Sequence, residues 1–192
     1  MPATFPSTTP AAQAAQTLPP ADIHAAINRL AAAIATRHPP RDKILVLGIA
    51  NGGVVLARRL AAKIPGARAG VLDISFHRDD IGHRPIPKEF APTHIPGDIN
   101  NATIILVDDV LQSGRTTNAA LNEIFDHGRP ARVELAVLVD RGGRRLPIAP
   151  DYAGIQLAAS DTEKLVLRLD PENPARDTFQ ITAQPSRSAR SV

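Results

Sequence analysis

The stretch Ile104-Ile105-Leu106-Val107-Asp108-Asp109-Val110-Leu111-Gln112-Ser113-Gly114-Arg115-Thr116-Thr117 passes from four apolar residues into two adjacent carboxylates, then into hydroxyls, a glycine and an arginine. Its apolar start reads as a short buried strand, Thr103 to Val107. After it, Thr116 to His127 carries Ala120, Leu121, Ile124 and Phe125 at helical spacing until Gly128-Arg129-Pro130 stops the pattern. Open parallel sheets bind ligands beyond the carboxyl ends of their strands, and Asp108 and Asp109 fall there. In the turn that follows, the N–H groups from about Gln112 to Thr116, the hydroxyls of Ser113, Thr116 and Thr117 and the positive end of the helix dipole suit a dianionic phosphate. Gly114 permits its close approach. The carboxylates would repel that phosphate unless the ligand laid hydrogen-bond donors over them, as a vicinal diol does. A ribose 5-phosphate meets both demands. The plain alternative is a strand end capped by acids before a hydroxyl-capped helix, and the full run of matching residue types outweighs it. A triphosphate-binding loop fits poorly, because the turn has no Lys.

The rest of the composition agrees with a single α/β domain. At 192 residues, with 43% hydrophobic residues, the chain is long enough for one sizeable core and short for two. Aromatics make up only 3% and Trp is absent, so the core must be built of Ala, Val, Leu and Ile, as buried parallel strands flanked by helices are. With no cysteine, disulfides and thiolate metal sites are excluded and a cytoplasmic location is expected. No run approaches a membrane span, and no secretory signal pattern opens the chain. The net charge of +3 falls to about +1 without Arg187 and Arg190 near the end, which argues against a nonspecific nucleic-acid binder.

Residues 1–20 carry no charge and are rich in Ala, Pro, Thr and Gln, so a disordered tail is expected there and another over 183–192, with one domain over 21–182. Ile23, Ile27, Leu30 and Ile34 mark an amphipathic helix from Asp22. Ile44 to Ile49 reads as a strand, Ala50-Asn51-Gly52-Gly53 as a turn and Val55 to Ile64 as a helix. A strand over Ala69 to Phe76 leads to a long Pro- and Gly-rich interval, about 77–101, that exceeds an ordinary connection and suggests a flexible lid. Val133 to Val139 is a further strand reached by a right-handed crossover, and weaker strand patterns occur at Tyr152 to Leu157, Leu165 to Leu169 and Thr178 to Thr182.

Ile104 to Thr117 resembles the phosphoribosyl-pyrophosphate (PRPP) motif of the type I phosphoribosyltransferases. Asp73 to Asp80, Gly128 to Arg132, Val137 to Gly142 and Leu146-Pro147-Ile148 follow in the order found in those members that regulate pyrimidine operons by attenuation and also act on uracil. The likeness spans roughly residues 22–182. It implies the type I phosphoribosyltransferase fold, a central mostly parallel sheet flanked by helices with a flexible hood loop. It also implies conversion of uracil and PRPP to UMP and pyrophosphate, with Mg²⁺ held mainly through substrate oxygens and no dedicated protein metal site. A homo-oligomer, dimer or higher, is a further implication.

By this resemblance Asp108 and Asp109 serve the ribose hydroxyls and the positive charge of the transition state. Gln112, Ser113, Gly114, Arg115, Thr116 and Thr117 take the 5-phosphate. Ala50, Asn51, Gly52 and Gly53 face the pyrophosphate, although the best-known relatives carry Lys-Thr-Arg-Gly there, so the basic side chains are missing from this chain and a catalytically weak PRPP or nucleotide sensor is an alternative reading. Arg78 is expected to contact pyrophosphate or the Mg²⁺ shell, whereas His77, His83 and His94 read as ordinary loop residues. Val139, Asp140 and Arg141 form the base-recognising segment. The attenuating relatives also bind messenger RNA on a basic surface. Here Arg144 is kept, but Gly143, Ala149 and Ile155 stand where the pattern has His, Arg and Lys, so RNA binding is expected to be weakened.

Overall fold

The computed structural model describes residues 16–39, 42–75, 92–158, 160 and 163–183. The elements are β1 (Gln16–Leu18), α1 (Pro20–Arg37), β2 (Ile44–Ile49), α2 (Gly52–Ala61), β3 (Arg68–Leu72), β4 (Thr103–Leu111), α3 (Arg115–His127), β5 (Arg132–Asp140), β6 (Tyr152–Gln156), β7 (Glu163–Arg168) and β8 (Thr178–Ala183). Five strands pair in parallel in the order β3-β2-β4-β5-β6.

Alternation along the central strands builds a core on each face of the sheet. Ile105 and Val107 of β4 pack with Ala136 and Leu138 of β5 against Ile23, Ile27, Leu30 and Ile34 of α1 and Leu56 and Leu60 of α2. Ile104 and Leu106 turn the other way, with Leu135 and Val137, toward Ala120 and Ile124 of α3. The helices thus cover opposite faces, as the sequence predicts. No helix among the described residues is long and apolar enough to cross a membrane.

Four boundaries differ from expectation, and three of them matter to the site. β4 does not stop at Val107. It continues to Leu111, because Asp108, Val110 and Leu111 stay in register with Val137, Val139 and Asp140. The acids therefore ride on the strand rather than on the turn after it. α2 opens at Gly52, not Val55, so Gly52 and Gly53 belong to the helix's first turn. The third strand is shorter than expected, Arg68–Leu72, and His94 returns alongside it with two backbone hydrogen bonds to Val71. Finally, the expected tail is not featureless up to residue 20: Gln16–Leu18 is a strand, and Pro20 already starts α1.

β1 pairs with β8, and β8 with β7, in a second, antiparallel sheet of three strands drawn from both ends of the described chain. Phe179 and Ile181, with the partly buried Leu165 and Leu167, pack this sheet onto the α1/α2 side of the core. A buried acid pins it. Asp177, with no exposed side-chain surface, accepts hydrogen bonds from the Arg59 guanidinium, His24 Nε2 at 3.2 Å and the Asp170 N–H at 2.9 Å. Removing one partner of such a pair strands the other without water or charge. Asp177→Ala is expected to cost about 3–5 kcal/mol of stability in a denaturant melt.

A second buried acid closes the far end of the sheet. Glu134 accepts from Tyr152 Oη at 2.6 Å and from His38 Nε2 at 2.8 Å, and its other oxygen accepts from Arg132 at 3.1 Å. Burial pushes this carboxyl up, but the hydrogen bonds from Tyr152, His38 and Arg132 outweigh it and hold it below the ordinary carboxylate range. It lies at the amino ends of the strands, away from the cavity described next.

Candidate active site

At the carboxyl end of β4 the acids and the following loop line one cavity of about 640 Å³, with Arg141 and the strand β7 as its other wall. The expected phosphate residues Gln112, Ser113, Gly114, Arg115, Thr116 and Thr117 all line it, together with Asp108 and Asp109.

The backbone of this loop is turned in one direction. Ser113 O accepts from the Arg145 and Leu146 N–H groups at 3.0 and 3.1 Å. Leu111 O accepts from the Arg141 N–H at 3.1 Å, and the Arg144 guanidinium donates to Leu111 O and Gln112 O at 3.3 and 3.0 Å. The carbonyls of Leu111, Gln112 and Ser113 are thus tied back to the 141–146 segment, while the Arg115 N–H donates to Ser113 Oγ at 3.3 Å. Gly114 makes the reversal, at φ +88, a conformation that costs an L side chain strain. The first bond within α3 runs from the Asn118 N–H to Gly114 O at 2.9 Å, so the amides of Thr116 and Thr117 have no acceptor in the helix.

Thr117 supplies a further sign of an absent partner. Its hydroxyl is buried, the residue being 2% exposed, and makes no hydrogen bond. A buried polar atom of this kind carries a desolvation cost unless a ligand satisfies it. Thr117→Val keeps the shape and removes that orphan. It is expected to leave the thermal midpoint unchanged or slightly higher while weakening phosphoribosyl-ligand affinity about tenfold, which calorimetric titration would read.

Asp108 and Asp109 differ in environment. Asp108 is 6% exposed and accepts the Asp109 N–H through Oδ1, at 3.0 Å; Asp109 in turn accepts the Val110 N–H at 2.8 Å. Burial, followed by the charge of Asp109, raises the Asp108 carboxyl well above the ordinary range. A buried carboxyl whose surroundings favour its neutral form, beside a cavity, marks a candidate functional group.

The glycine turn meets these acids directly. A Cβ on Gly52 would lie 2.5 Å from the Asp109 carboxylate, and one on Gly53 would lie 2.1 Å from Val107 O. Only glycines let α2 begin against the end of β4. The peptide between Ala50 and Asn51 is cis. Ala50, Asn51, Gly52 and Gly53 thus adjoin the acid pair without lining the cavity beside it.

The base segment is only partly free. Val139 is fully buried, and Asp140 accepts from the Gly142 N–H at 3.0 Å and pairs with Arg144 at 2.6 Å. Arg141 donates to Ser160 O and Glu163 O at 3.0 and 3.2 Å, so its side chain fastens β7 over the cavity. Arg144 is likewise occupied, since Ile148 O and Gly142 O complete its set of acceptors. Its guanidinium braces the loop. Arg78, His77 and His83 lie outside the described residues.

Sequence reading missed the β7 wall. Lys164, Leu165, Val166, Leu167 and Arg168 line the cavity, yet the sequence offered only a weak strand pattern. Alternate charged residues, Lys164 and Arg168, were the one visible signal. Among the described residues no group of three or more His, Cys, Asp or Glu side chains could hold a metal ion.

A parallel sheet with helices on both faces carries an acid pair and a glycine-turned loop at its carboxyl edge, and the family model described as Phosphoribosyl transferase domain matches residues 20–167. Among curated proteins, the Bifunctional protein PyrR of Ralstonia nicotianae is 45% identical over 166 residues, 85% of this chain and 95% of that protein. The Bifunctional protein PyrR of Streptomyces coelicolor is 46% identical over 171 residues, 86% of this chain and 88% of its own. The chain belongs to the PyrR family of phosphoribosyltransferases. Its fold is also that of more distant enzymes. A hypoxanthine phosphoribosyltransferase of Staphylococcus aureus superposes with TM-score 0.61 at 18% identity over 86% of this chain and 90% of that one. The enzyme of Trypanosoma cruzi gives 0.60 at 19% identity over 86% and 95%.

Proposed function

We propose that the protein is a uracil phosphoribosyltransferase that converts uracil and PRPP to UMP and pyrophosphate. The observation that carries this reading is the junction in one cavity of two acids with the Gln112–Thr117 loop and its unpartnered Thr117 hydroxyl, beside the Gly52-Gly53 start of α2. The choice of uracil follows the resemblance to the members that regulate pyrimidine operons, a resemblance supported by PyrR relatives that match 85% and 86% of this chain.

In this reading the amides and hydroxyls from Gln112 to Thr117 hold the 5-phosphate, and Asp108 and Asp109 accept hydrogen bonds from the ribose hydroxyls. The C1–oxygen bond to pyrophosphate breaks as N1 of uracil bonds to C1, and the N1 proton leaves to solvent or a nearby acceptor. Positive charge spreads over the sugar during this exchange, and the fixed carboxylates stabilise it. Departing pyrophosphate is met by backbone amides of the Ala50–Gly53 turn, with Mg²⁺ supplying charge neutralisation when it is bound with the substrate. Arg78 is assigned to the same region. The segment Val139 to Arg141 is assigned to the base, although the side chains of Asp140 and Arg141 and the Arg141 N–H are engaged within the fold.

RNA binding is the second role of the PyrR resemblance. It draws less support here, because Arg144 is consumed by the loop carbonyls. The test is incubation of the protein with PRPP, Mg²⁺ and uracil, cytosine, hypoxanthine, guanine or orotate in turn. Uracil-selective UMP and pyrophosphate are expected. Product from another base alone, or from none, would overturn the assignment.

A further inference from the structure

The charges around the cavity do not balance for the ligand assigned to it. A phosphoribosyl pyrophosphate carries a phosphate at one end and a pyrophosphate at the other. The Ala50–Gly53 turn brings no ionisable side chain to meet them, and the first turn of α2 has none. Asp108 and Asp109 add negative charge. Of the other cations on the cavity wall, Arg115 sits in the loop assigned to the 5-phosphate, and Arg141 spends its guanidinium on Ser160 O and Glu163 O.

β7 offers what is missing. Its Leu165 and Leu167 pack on the core, and strand alternation sends Lys164, Val166 and Arg168 to the other face. Lys164 and Arg168 are exposed, line the cavity opposite the phosphate loop and make no ion pair among the described residues. The strand that carries them is held in place by Arg141 at its start and by pairing with β8 along its length. Across the same cavity stands the unpartnered, buried hydroxyl of Thr117, which independently marks this space as one built for a polar ligand.

We infer that Lys164 and Arg168 supply the cationic grip on the phosphate-bearing ligand that the Ala50–Gly53 turn lacks. The inference rests on the reading of the cavity as a PRPP site. It assigns β7, which the phosphate motif does not include, to the binding of PRPP and of the mononucleotide product. Two flexible cations on a fixed strand act by charge on bound anions and take no part in bond exchange, so they set affinity more than turnover.

The experiment compares full-length wild type with Lys164→Gln, Arg168→Gln, the double variant and the charge-keeping Lys164→Arg. Binding of PRPP, UMP and inorganic pyrophosphate, each with Mg²⁺, is titrated calorimetrically, and kcat and KM are measured with uracil. Each neutral variant is expected to weaken PRPP and UMP roughly tenfold or more. KM for PRPP should follow, kcat should move much less, and the wild type's loss of affinity with added salt should be shallower in the variants. Lys164→Arg should restore most of the affinity. Both residues are exposed, so unchanged thermal midpoints are expected and separate a binding loss from a folding loss. PRPP and UMP affinities equal to wild type in the double variant would overturn the grip while leaving the transferase reading intact. Wild type that binds pyrophosphate but turns over no base would overturn the transferase reading, and the grip would then stand or fall by pyrophosphate affinity in the variants. Wild type that binds none of these anions would sink both.

Discussion

Asp108→Asn with Asp109→Asn is expected to lower kcat about 100- to 1,000-fold, the range seen when a preorganised group that stabilises transition-state charge is removed, without loss of fold. The second half of that expectation follows from burial. Asp108 is nearly inaccessible and its carboxyl is pushed well above the ordinary range, first by desolvation and then by the neighbouring charge of Asp109. A group whose folded pKa is raised contributes stability that is full below its unfolded pKa and is lost as pH rises through the folded value. Asparagine does not ionise and so does not lose it. The thermal midpoint of Asp108→Asn should match wild type in acid and exceed it increasingly as pH rises. Activity runs the opposite way, because the ionised carboxylate is the form that accepts ribose hydroxyls. In wild type, kcat/KM should fall toward low pH with an apparent pKa above that of an ordinary carboxylate. Pre-steady-state turnover and a melt series over pH measure both arms, and unaltered turnover in the double variant would remove the acids from the mechanism.

The glycines of α2 should separate stability from activity in another way. Gly53→Ala places its Cβ 2.1 Å from Val107 O, a backbone atom of the central strand that cannot move without disturbing the sheet. Its expected cost is at least the 1–3 kcal/mol of an overpacked core, visible in a denaturant melt. Gly52→Ala instead meets the Asp109 carboxylate at 2.5 Å. A side chain can rotate away, so Gly52→Ala should fold with a smaller stability loss. The displaced carboxylate is then the penalty: a misplacement near 1 Å at a reacting centre costs about 100-fold. Gly53→Ala is therefore the stability variant and Gly52→Ala the activity variant. Equal effects on both readouts would contradict the packing argument.

The parts of this protein that were legible in sequence are those whose signal is local. β2, α3 and the acid-to-hydroxyl run of β4 each announce themselves within about a dozen residues, through apolar runs, helical spacing and a glycine at the turn. The end of β4 was misread because Asp108 and Asp109 look like a strand stop. They stay on the strand only because β5 supplies partners through Leu111, a fact of pairing. Gly52 and Gly53 read as a turn for the same kind of reason, since weak helix formers open a helix here to pass close to Asp109 and Val107 O. The β7 wall was the least visible. Its strand pattern is short, and its position over the cavity depends on Arg141 reaching Glu163 O and on pairing with β8. Arg144 shows the converse: a surface cation by composition, it is drawn inward by carbonyls that no sequence pattern displays.

The second sheet also fixes the topology of the chain as a whole. Gln16 lies opposite Ile181, with β1 and β8 running antiparallel, so the first and last described residues stand side by side like the two ends of a clasp. A chain trimmed to residues 16–183 and joined through a short linker would close the backbone into a ring with the β1–β8 pairing kept. Such a circular permutant, reopened at an exposed turn elsewhere, would remain a complete fold. Cutting the chain before Thr178, by contrast, would leave β1 and β7 with no strand to pair with and the cavity short of a wall.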